Sequence, residues 1–284
     1  MANREFLMAS PLSGGLNTGA PQVSTITASE NGVVHLDRLL VGAASTVDVV
    51  GYNGYDLGLN MEVQSLLING SIELIRGRNA PASPGSIFSP KRVRPIVSLG
   101  DWTFGTGDTV ALTGQVAGAG IFGNLTTAVP FSPRNVRLGY TGAPPASRAT
   151  FAGSPAVAIA GGAALNVTVT FDQDGIADLD SMIVSGGPNP SAVAGASISH
   201  DSLAGAYVTQ ITLPSGDQII LGQAQFGAAA SIFSATRPGN WFSPGKEWVS
   251  AGSQIVFNIA NVAAQGCSFQ VGMPFYPGTK GDRC

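Results

Sequence analysis

Three stretches of this 284-residue sequence carry side chains of types that could support chemistry. The first, Ser199-His200-Asp201-Ser202, contains the residue types of a catalytic triad. Triads are assembled from distant positions, and adjacency in sequence does not provide their geometry. We interpret the tetrapeptide as a polar loop, and the sequence has no GxSxG, HExxH, P-loop or CxxC motif. We therefore assign no catalytic, cofactor-binding or metal-ligating residues and predict that the chain is not an enzyme.

The second stretch is the acidic segment Asp172–Asp180, whose aspartates alternate around Gly175. Such a pattern can gather oxygen ligands for Ca²⁺, but the bidentate glutamate of an EF-hand loop is missing. A matching segment in the first half, Glu30–Asp37, lacks most of the carboxylates and keeps an Asn-Gly pair and Leu-Asp. A turn common to both halves is the favoured interpretation, calcium binding at this turn is the alternative, and no other cofactor is predicted.

The third stretch is a basic cluster with no acid inside it, made of Arg76, Arg78, Lys91, Arg92 and Arg94. Another acid-free basic set lies between the halves and consists of Arg134, Arg137 and Arg148. These residues could contact phosphates of a genome or of lipid. The favoured interpretation is an exposed loop or an ion-paired contact between subunits.

Composition limits the possible function classes. Charged residues make up only 11% of the chain, against about 25% in ordinary soluble domains, so much of the surface is expected to lie against neighbours. The net charge of −3 argues against bulk nucleic-acid binding. Met1–Ser10 lacks an apolar segment followed by a cleavage site, and Ala149–Phe171 is too rich in Gly and Thr for a membrane span. Cys267 and Cys284 form no disulfide framework, which favours two free thiols and synthesis in a cytoplasm.

The two halves of the chain repeat each other. At an offset of 143, Thr25-Ile26-Thr27 aligns with Thr168-Val169-Thr170. At an offset of 145, Ser86-Ile87-Phe88-Ser89 aligns with Ser231-Ile232-Phe233-Ser234. Further pairs are Gly32 with Gly175, Trp102 with Trp248 after one more residue of slip, and Phe131 with Phe275. Because the matches keep their order over a whole half-chain, we predict an internal duplication.

The matches place the two copies at residues 20–131 and 163–275. The remaining parts are an N-terminal arm at 1–19, a connector at 132–162 and a C-terminal tail at 276–284. We expect the arm to be ordered only by neighbouring subunits or an underlying membrane. The first copy has eight acidic and six basic residues and the second has seven and two, so their net charges are −2 and −5. This difference predicts that the copies face different surroundings.

Each copy consists of short β-type runs separated by turn residues. Leu66–Ile68 and Ile72–Ile75 flank Asn69-Gly70, a pair typical of a tight hairpin. Gly and Pro recur too often for long helices. The predicted fold class is all-β, with two tandem jelly-roll or β-sandwich domains. We expect Gly32 and Gly175 at equivalent tight turns with backbone angles that a Cβ disfavours, and the paired aromatic residues in the cores.

A tandem pair of jelly-roll-sized β domains with little charge resembles the double jelly-roll major capsid proteins of tailless icosahedral phages that contain a membrane, in the adenovirus-like lineage. The resemblance covers nearly the whole chain but is architectural, without a signature motif. It implies a homotrimer in the virion capsid, assembled in the host cytoplasm, whose trimers tile an icosahedral shell. The implied partners are neighbouring capsid trimers, other virion proteins and internal membrane lipid, without sequence-specific nucleic-acid binding.

Two other functions stay open at the level of sequence. One is a tandem carbohydrate- or receptor-binding β-sandwich, such as a virion spike or an adhesin, which would expose aromatic platforms. The other is a hydrolase on a β scaffold, which lacks an evident acid–base constellation.

Overall fold

The computed structural model describes residues 4–11, 20–45, 61–75, 83–88, 95, 98–116, 123–134, 149–188, 206–222, 228–234, 241–261 and 266–278. Within these ranges the chain is almost entirely β-strand, with short 3₁₀ helices at Leu36–Arg38, Gly85–Phe88, Leu179–Ser181 and Ala230–Phe233. No helix in the described part of the chain has the length and apolarity to cross a membrane.

The strands follow one another in the same order in both halves, except that the second half has one additional strand, Val157–Ile159. The first half contains β1 Phe6–Ala9, β2 Gln22–Thr27, β3 Gly32–His35, β4 Leu40–Ser45, β5 Met61–Ile68, β6 Ile72–Glu73, β7 Ser83–Pro84, β8 Asp101–Phe104, β9 Thr109–Val116 and β10 Gly123–Pro133. The second half contains β11 Thr150–Gly153, β12 Val157–Ile159, β13 Ala164–Thr170, β14 Gly175–Asp178, β15 Ile183–Pro188, β16 Ala206–Thr212, β17 Ile220–Leu221, β18 Ala228–Ala229, β19 Lys246–Val249, β20 Gln254–Asn261 and β21 Cys267–Pro277.

Each half folds into two antiparallel sheets. One sheet has the order β1-β10-β3-β8 in the first half and β11-β21-β14-β19 in the second. The other has the order β2-β9-β5-β6 in the first half and β13-β20-β16-β18 in the second. Strands β3 and β4 together line one side of β10, as β14 and β15 do for β21, so each pair counts as one interrupted strand. The strand beside β5 is likewise interrupted, as β6 and β7, and its counterpart beside β16 is β18. Numbered along each half in this way, with β12 and β17 left out, the sheets have the orders 1-8-3-6 and 2-7-4-5, which define an eight-stranded jelly roll. The predicted fold class of two tandem jelly rolls is confirmed.

Every second side chain along the strands points into a core and fills it. In β20, Ile255, Phe257 and Ile259 are fully buried and alternate with partly exposed residues, because successive side chains point to opposite faces of a sheet. Of the aromatic pairs predicted for the cores, the two phenylalanine pairs are buried in both copies, whereas Trp102 and Trp248 are only half-buried. Phe88 and Phe233 close equivalent 3₁₀ helices and are buried.

The hairpin predicted at Asn69-Gly70 is present. Both residues have positive φ, 51° and 64°, and the Ser71 N–H donates to the Ile68 carbonyl across the turn. Asn and Gly tolerate these angles best, which is why this pair joins β5 to β6.

The duplication extends to individual hydrogen bonds. Asp37 accepts from the Gly100 N–H at 2.6 Å, and its counterpart Asp180 accepts from the Gly245 N–H at 2.7 Å. Both glycines have positive φ, at 75° and 79°, which a side chain would oppose. Asn31 likewise accepts from the Thr106 N–H, as Asp174 does from the Ala251 N–H. The repeated element around Asn/Asp-Gly is therefore a set of fixed loop contacts.

The expectation of tight turns at Gly32 and Gly175 is wrong. Both residues begin strands, β3 and β14, and neither has a positive φ. A Cβ on Gly32 would lie 2.3 Å from Cζ of Phe131, and one on Gly175 would lie 2.6 Å from Cζ of Phe275. Glycine is required because an aromatic ring of the neighbouring strand occupies the space of a side chain.

The alignment of Trp102 with Trp248 is also wrong by one residue. Trp102 pairs with Val34, whose counterpart Ala177 pairs with Glu247, whereas Trp248 pairs with Ile176. A shift of one residue along a strand moves a side chain to the opposite sheet face. The two tryptophans therefore occupy different environments, and no slip interrupts the offset of 145.

The structure differs from the sequence-based boundaries at two strands. Phe6–Ala9, expected to lie in an arm outside the copies, forms β1, which is buried and pairs with β10. Thr150–Gly153, expected in the connector, forms β11 and pairs with β21. Phe6 lies opposite Phe131, and Thr150 lies opposite Phe275, so both strands are the first strand of their jelly roll. Their different side chains explain why the sequence comparison missed them.

Candidate functional site

The contact between the two jelly rolls is the most elaborate site in the described part of the chain. It centres on β1, whose side chains are divided between the two copies. Met8 lies in the core of the first jelly roll. Leu7 and Ala9 belong to the apolar cluster of the second jelly roll, together with Leu40 and Ala128 from the outer face of the first. The outer sheet face of the first copy is therefore covered by the second copy.

Backbone pairing joins the copies as well. Strand β17 of the second copy runs parallel to β1, with Leu7 opposite Ile220 and Met8 opposite Leu221. The Leu7 N–H donates to the Ile219 carbonyl at 3.0 Å. Because β17 covers an edge of the first copy's sheet, the backbone groups of β1 on that side are paired rather than open to another strand.

A buried arginine lies at the same contact. The Arg4 side chain is only 1% exposed and forms an ion pair with Glu247, while its Nη1 lies 4.0 Å from Oδ2 of Asp217. Its Nη2 also donates to the Lys246 carbonyl at 3.3 Å. Both acidic partners belong to the second copy. A charge buried this deeply requires such partners, because leaving it unpaired would cost several kcal/mol, on the order of 3–5.

Glu5, the next residue, connects both copies through its two oxygens. Arg38 of the first copy donates to Oε1 and Oε2, each at 2.7 Å. The Ser243 N–H of the second copy donates to Oε2 at 2.8 Å, and the Glu5 N–H donates back to the Ser243 carbonyl at 3.1 Å. A bidentate pair of this kind fixes orientation as well as charge. The segment before β1 thus holds the two jelly rolls in one arrangement.

This site was not predicted from the sequence. Arg4 and Glu5 belong to the segment predicted to be an arm that is ordered only by neighbouring subunits or a membrane, because that segment lies outside the recognised repeat. One signal was present: at an offset of 144, Arg4 aligns with Arg148 and Leu7 with Phe151. These two matches would have extended the duplication to the first strand.

In a second cluster, a carboxylate, a histidine and a serine hydroxyl are linked in the order found in a catalytic triad. His35 Nδ1 lies 2.8 Å from Oδ1 of Asp101, and His35 Nε2 lies 2.8 Å from Oγ of Ser132. These residues come from three adjacent strands, β3, β8 and β10. His35 Nε2 also lies 3.9 Å from Oε1 of Glu5.

The second copy shows what this position does in the fold. The counterparts of His35, Asp101 and Ser132 are Asp178, Lys246 and Tyr276. Lys246 pairs in register with Asp178 across β14 and β19, and its ammonium lies 5.8 Å from the centre of the Tyr276 ring. Both copies thus carry a polar cross-strand cluster here, although the residue types differ. Cross-strand contacts of this kind stabilise a sheet without requiring chemistry.

The acidic segment uses its carboxylates to hold loops. Besides the contact of Asp174 with Ala251, Asp178 accepts from the Asp180 N–H and the Ser181 hydroxyl, and Asp180 accepts from the Ser243 hydroxyl. Within the described ranges, no group of three or more His, Cys, Asp and Glu side chains is placed to hold a metal ion. These contacts explain the carboxylates as groups that hold the loops, and calcium binding at this segment stays a hypothesis.

Of the other residues singled out from the sequence, only some lie within the described ranges. Ser199–Ser202, the basic cluster from Arg76 to Arg94, Arg137, Arg148 and Cys284 lie outside the described residues. Arg134 is exposed, and its N–H donates to the Asn31 carbonyl. Cys267 is buried in β21.

Among the described residues, the carboxylate of Glu73 is the titratable group whose pKa is clearly shifted. Burial alone would raise the pKa of Glu73, but hydrogen bonds from the Ser65 hydroxyl and from the Leu66 and Ile75 N–H groups outweigh it. The net effect lowers the pKa below its usual value. This carboxylate fixes the chain at the end of β6.

The strand order and the site together define a tandem double jelly roll whose copies are joined through β1. No family model matches the sequence, and no curated protein matches it. Among solved structures, the chain is similar to a chain of Sulfolobus Turreted Icosahedral Virus, with 12% identity, 98% of this chain and 94% of that chain covered, and a TM-score of 0.21. It is also similar to the major capsid protein P2 of bacteriophage PM2, with 8% identity, 97% and 99% coverage, and a TM-score of 0.24.

An enzyme gives a comparable likeness. N-glycanase F is 9% identical, with 97% of this chain and 96% of that chain covered, and a TM-score of 0.23. TM-scores this low carry no argument about function, and the capsid and enzyme chains score alike. The architecture therefore rests on the strand order of the chain itself.

Proposed function

We propose that this chain is a major capsid protein, that it forms homotrimers, and that the trimers tile the icosahedral shell of a virus. The observation that carries the proposal is the presence of two equivalent jelly rolls in one chain, with the second packed on an outer sheet face of the first. Three such chains present six similar sandwiches, and six similar bodies around an axis give a nearly hexagonal tile. Hexagonal tiles cover a surface without gaps.

The composition supports this role. A chain with 11% charged residues needs covered flanks to remain in solution, and obligate interfaces of about 2,000 Å² or more are typically apolar. The proposed partners are neighbouring trimers, other virion proteins and the lipid of an internal membrane. The proposed location is the virion capsid, after assembly in the host cytoplasm. In this role the protein acts without catalysis.

Size-exclusion chromatography with light scattering, followed by electron microscopy of the assembled material, tests the proposal. We expect a trimer that forms sheets or closed shells. A stable monomer that forms neither at any concentration would contradict it.

One observation favours a binding function instead. Phe151 is 60% exposed on an outer sheet face, as an aromatic platform for a sugar would be. A glycan array distinguishes the two functions, because an adhesin should bind defined glycans with a loss of binding in Phe151→Ala. A capsid protein should show no such dependence.

The contacts of His35 provide the test for a hydrolase. The activity of the purified chain toward p-nitrophenyl esters should equal that of Ser132→Ala. Turnover that is lost in Ser132→Ala and in His35→Ala would contradict the structural proposal.

A further inference from the structure

The outer face that is covered in the first jelly roll has a counterpart in the second that is uncovered in the described part of the chain. Strands β1 and β11 are equivalent, because they pair with β10 and β21 at matching positions. Leu7 and Phe151 therefore occupy the same place in their respective jelly rolls. Leu7 is fully buried by the other copy, whereas Phe151 is exposed.

The neighbouring positions show the same contrast. Leu40 and Ala128, on the covered face, are buried beneath the second copy. Their counterparts are Ile183, which is half-buried, and Gly272, whose outer side lies against the Phe151 ring. In the described part of the chain, the outer edge of β11 has no strand paired to it, whereas β1 has β17. The second copy thus presents an apolar face and an open edge.

The segment of the second copy that covers β1 has an equivalent segment in the first copy. Ile219 and Ile220 correspond to Leu74 and Ile75 at the offset of 145. The local backbone is the same, since the Leu74 N–H donates to the Leu66 carbonyl just as the Ile219 N–H donates to the Ile211 carbonyl. Ile220 is fully buried against β1, but Ile75 is half-buried, and Ile72 beside it is 42% exposed.

The acidic part of the contact is replaced by apolar residues, while the residue aligned with Arg4 is still an arginine, Arg148. Arg4 binds Asp217 and Glu247 of the second copy. The equivalent positions of the first copy are Ile72 and Trp102, which carry no charge. The face around Phe151 and Ile183 and the segment Ile72–Ile75 are therefore both apolar. In a contact equivalent to the one between the copies, Phe151 and Ile183 would meet Ile72 and Ile75.

We propose that the face formed by Phe151, Ile183 and the edge of β11 binds the Ile72–Ile75 segment of a second copy of this chain. Each chain would then repeat, with its neighbour, the contact that joins its own two jelly rolls. Such a head-to-tail contact closes into a ring when the rotation allows it, and three chains would complete a ring of six jelly rolls. The inference rests on the proposed homotrimer and identifies the surface that forms it.

Charge substitution in the full-length chain tests the surface, measured by light scattering and analytical ultracentrifugation. Phe151→Glu should weaken association roughly tenfold or more, since burial of a large aromatic side chain would be lost. The fold should be retained, because Phe151 is mostly exposed within one chain; far-UV circular dichroism and the melting midpoint check this. Val23→Glu is the matched control, since Val23 is 57% exposed on the other sheet of the first copy and should leave association unchanged.

A disulfide tests the register. Leu7 pairs with Ile220, so Phe151 should pair with Ile75 of a neighbouring chain. In a Cys284→Ser background, Phe151→Cys with Ile75→Cys should give linked chains on a non-reducing gel, and Val23→Cys with Ile75→Cys should not. A wild-type trimer in which Phe151→Glu has no effect, or no more than Val23→Glu, and no cross-link forms would overturn this inference alone. A monomeric wild-type chain would overturn the proposed function as well.

Discussion

At the scale of single residues, packing explains the glycines at positions 32 and 175, where the sequence predicts tight turns. The sequence marked Gly32 and Gly175 as equivalent positions where glycine is needed, and that equivalence is correct. The reason could not be predicted, because the ring that excludes a Cβ comes from a strand about 100 residues away. The structural role of the Asp-rich segment was predictable, because its counterpart keeps the Asn-Gly pair without most of the carboxylates.

Substitution of Gly175 tests the packing explanation. Gly175→Ala would place a Cβ 2.4 Å from the Tyr276 carbonyl oxygen, so the strand or the Phe275 ring must move. We expect a loss of about 2 kcal/mol in the free energy of unfolding, measured by chemical denaturation. Gly153→Ala is the control, because its Cβ would meet the nearest atom at an ordinary 3.6 Å. Equal effects in the two variants would contradict the explanation.

The carboxylate of Glu73 predicts a pH dependence of stability. Its pKa is lowered in the folded chain, so the stabilisation is complete above the unfolded value of about 4.3 and is lost as the pH falls through the lower folded value. Glu73→Gln, which introduces the residue found at the equivalent position 218, should remove this contribution. The difference in unfolding free energy between wild type and variant should shrink from pH 6 toward pH 2, and a constant difference would contradict the prediction.

At the scale of elements, β1 is where sequence reasoning failed most clearly. The hairpin at Asn69-Gly70 and the β-type run at Leu66–Ile68 could be predicted because turn chemistry and residue preferences are local. Strand β1 is four residues long, is separated from the next strand, and gains its stability from β10 and β17. A short strand whose partners are distant leaves little pattern in the sequence, and it was therefore interpreted as an arm.

Truncation of side chains on β1 tests its place in the fold. Leu7→Ala should lower the free energy of unfolding by about 2–4 kcal/mol, because a fully buried leucine leaves a cavity between the two jelly rolls. Phe151→Ala, at the equivalent position, should change the stability of one chain by less than about 1 kcal/mol, because that ring is mostly exposed. If Leu7→Ala is as mild as Phe151→Ala, β1 acts as an arm after all.

At the scale of the whole molecule, the duplication, the all-β class and the tandem jelly rolls could be predicted from ordered matches and turn spacing. The contact between the copies could not, because it depends on single charged residues with partners more than 200 positions away. The two copies have diverged where they meet different surroundings. Leu7 faces a neighbour in the same chain, while Phe151 is exposed.

The ion pair of Arg4 predicts coupling between the copies. Glu247→Ala leaves a buried cation with its closest partner removed and should cost about 3 kcal/mol in unfolding free energy. Arg4→Met combined with Glu247→Leu should recover much of that loss, since no unpaired charge remains. Calorimetry should show one transition for both jelly rolls in the wild type. Two separate transitions would indicate that the contact does not couple them.

The mass of the native assembly tests the central claim most directly. Native mass spectrometry of the full-length wild-type chain should give a species of three times 28.8 kDa, and the same material should form sheets or shells under the electron microscope. A single chain of 28.8 kDa that persists at high concentration and forms no larger structure would contradict the account.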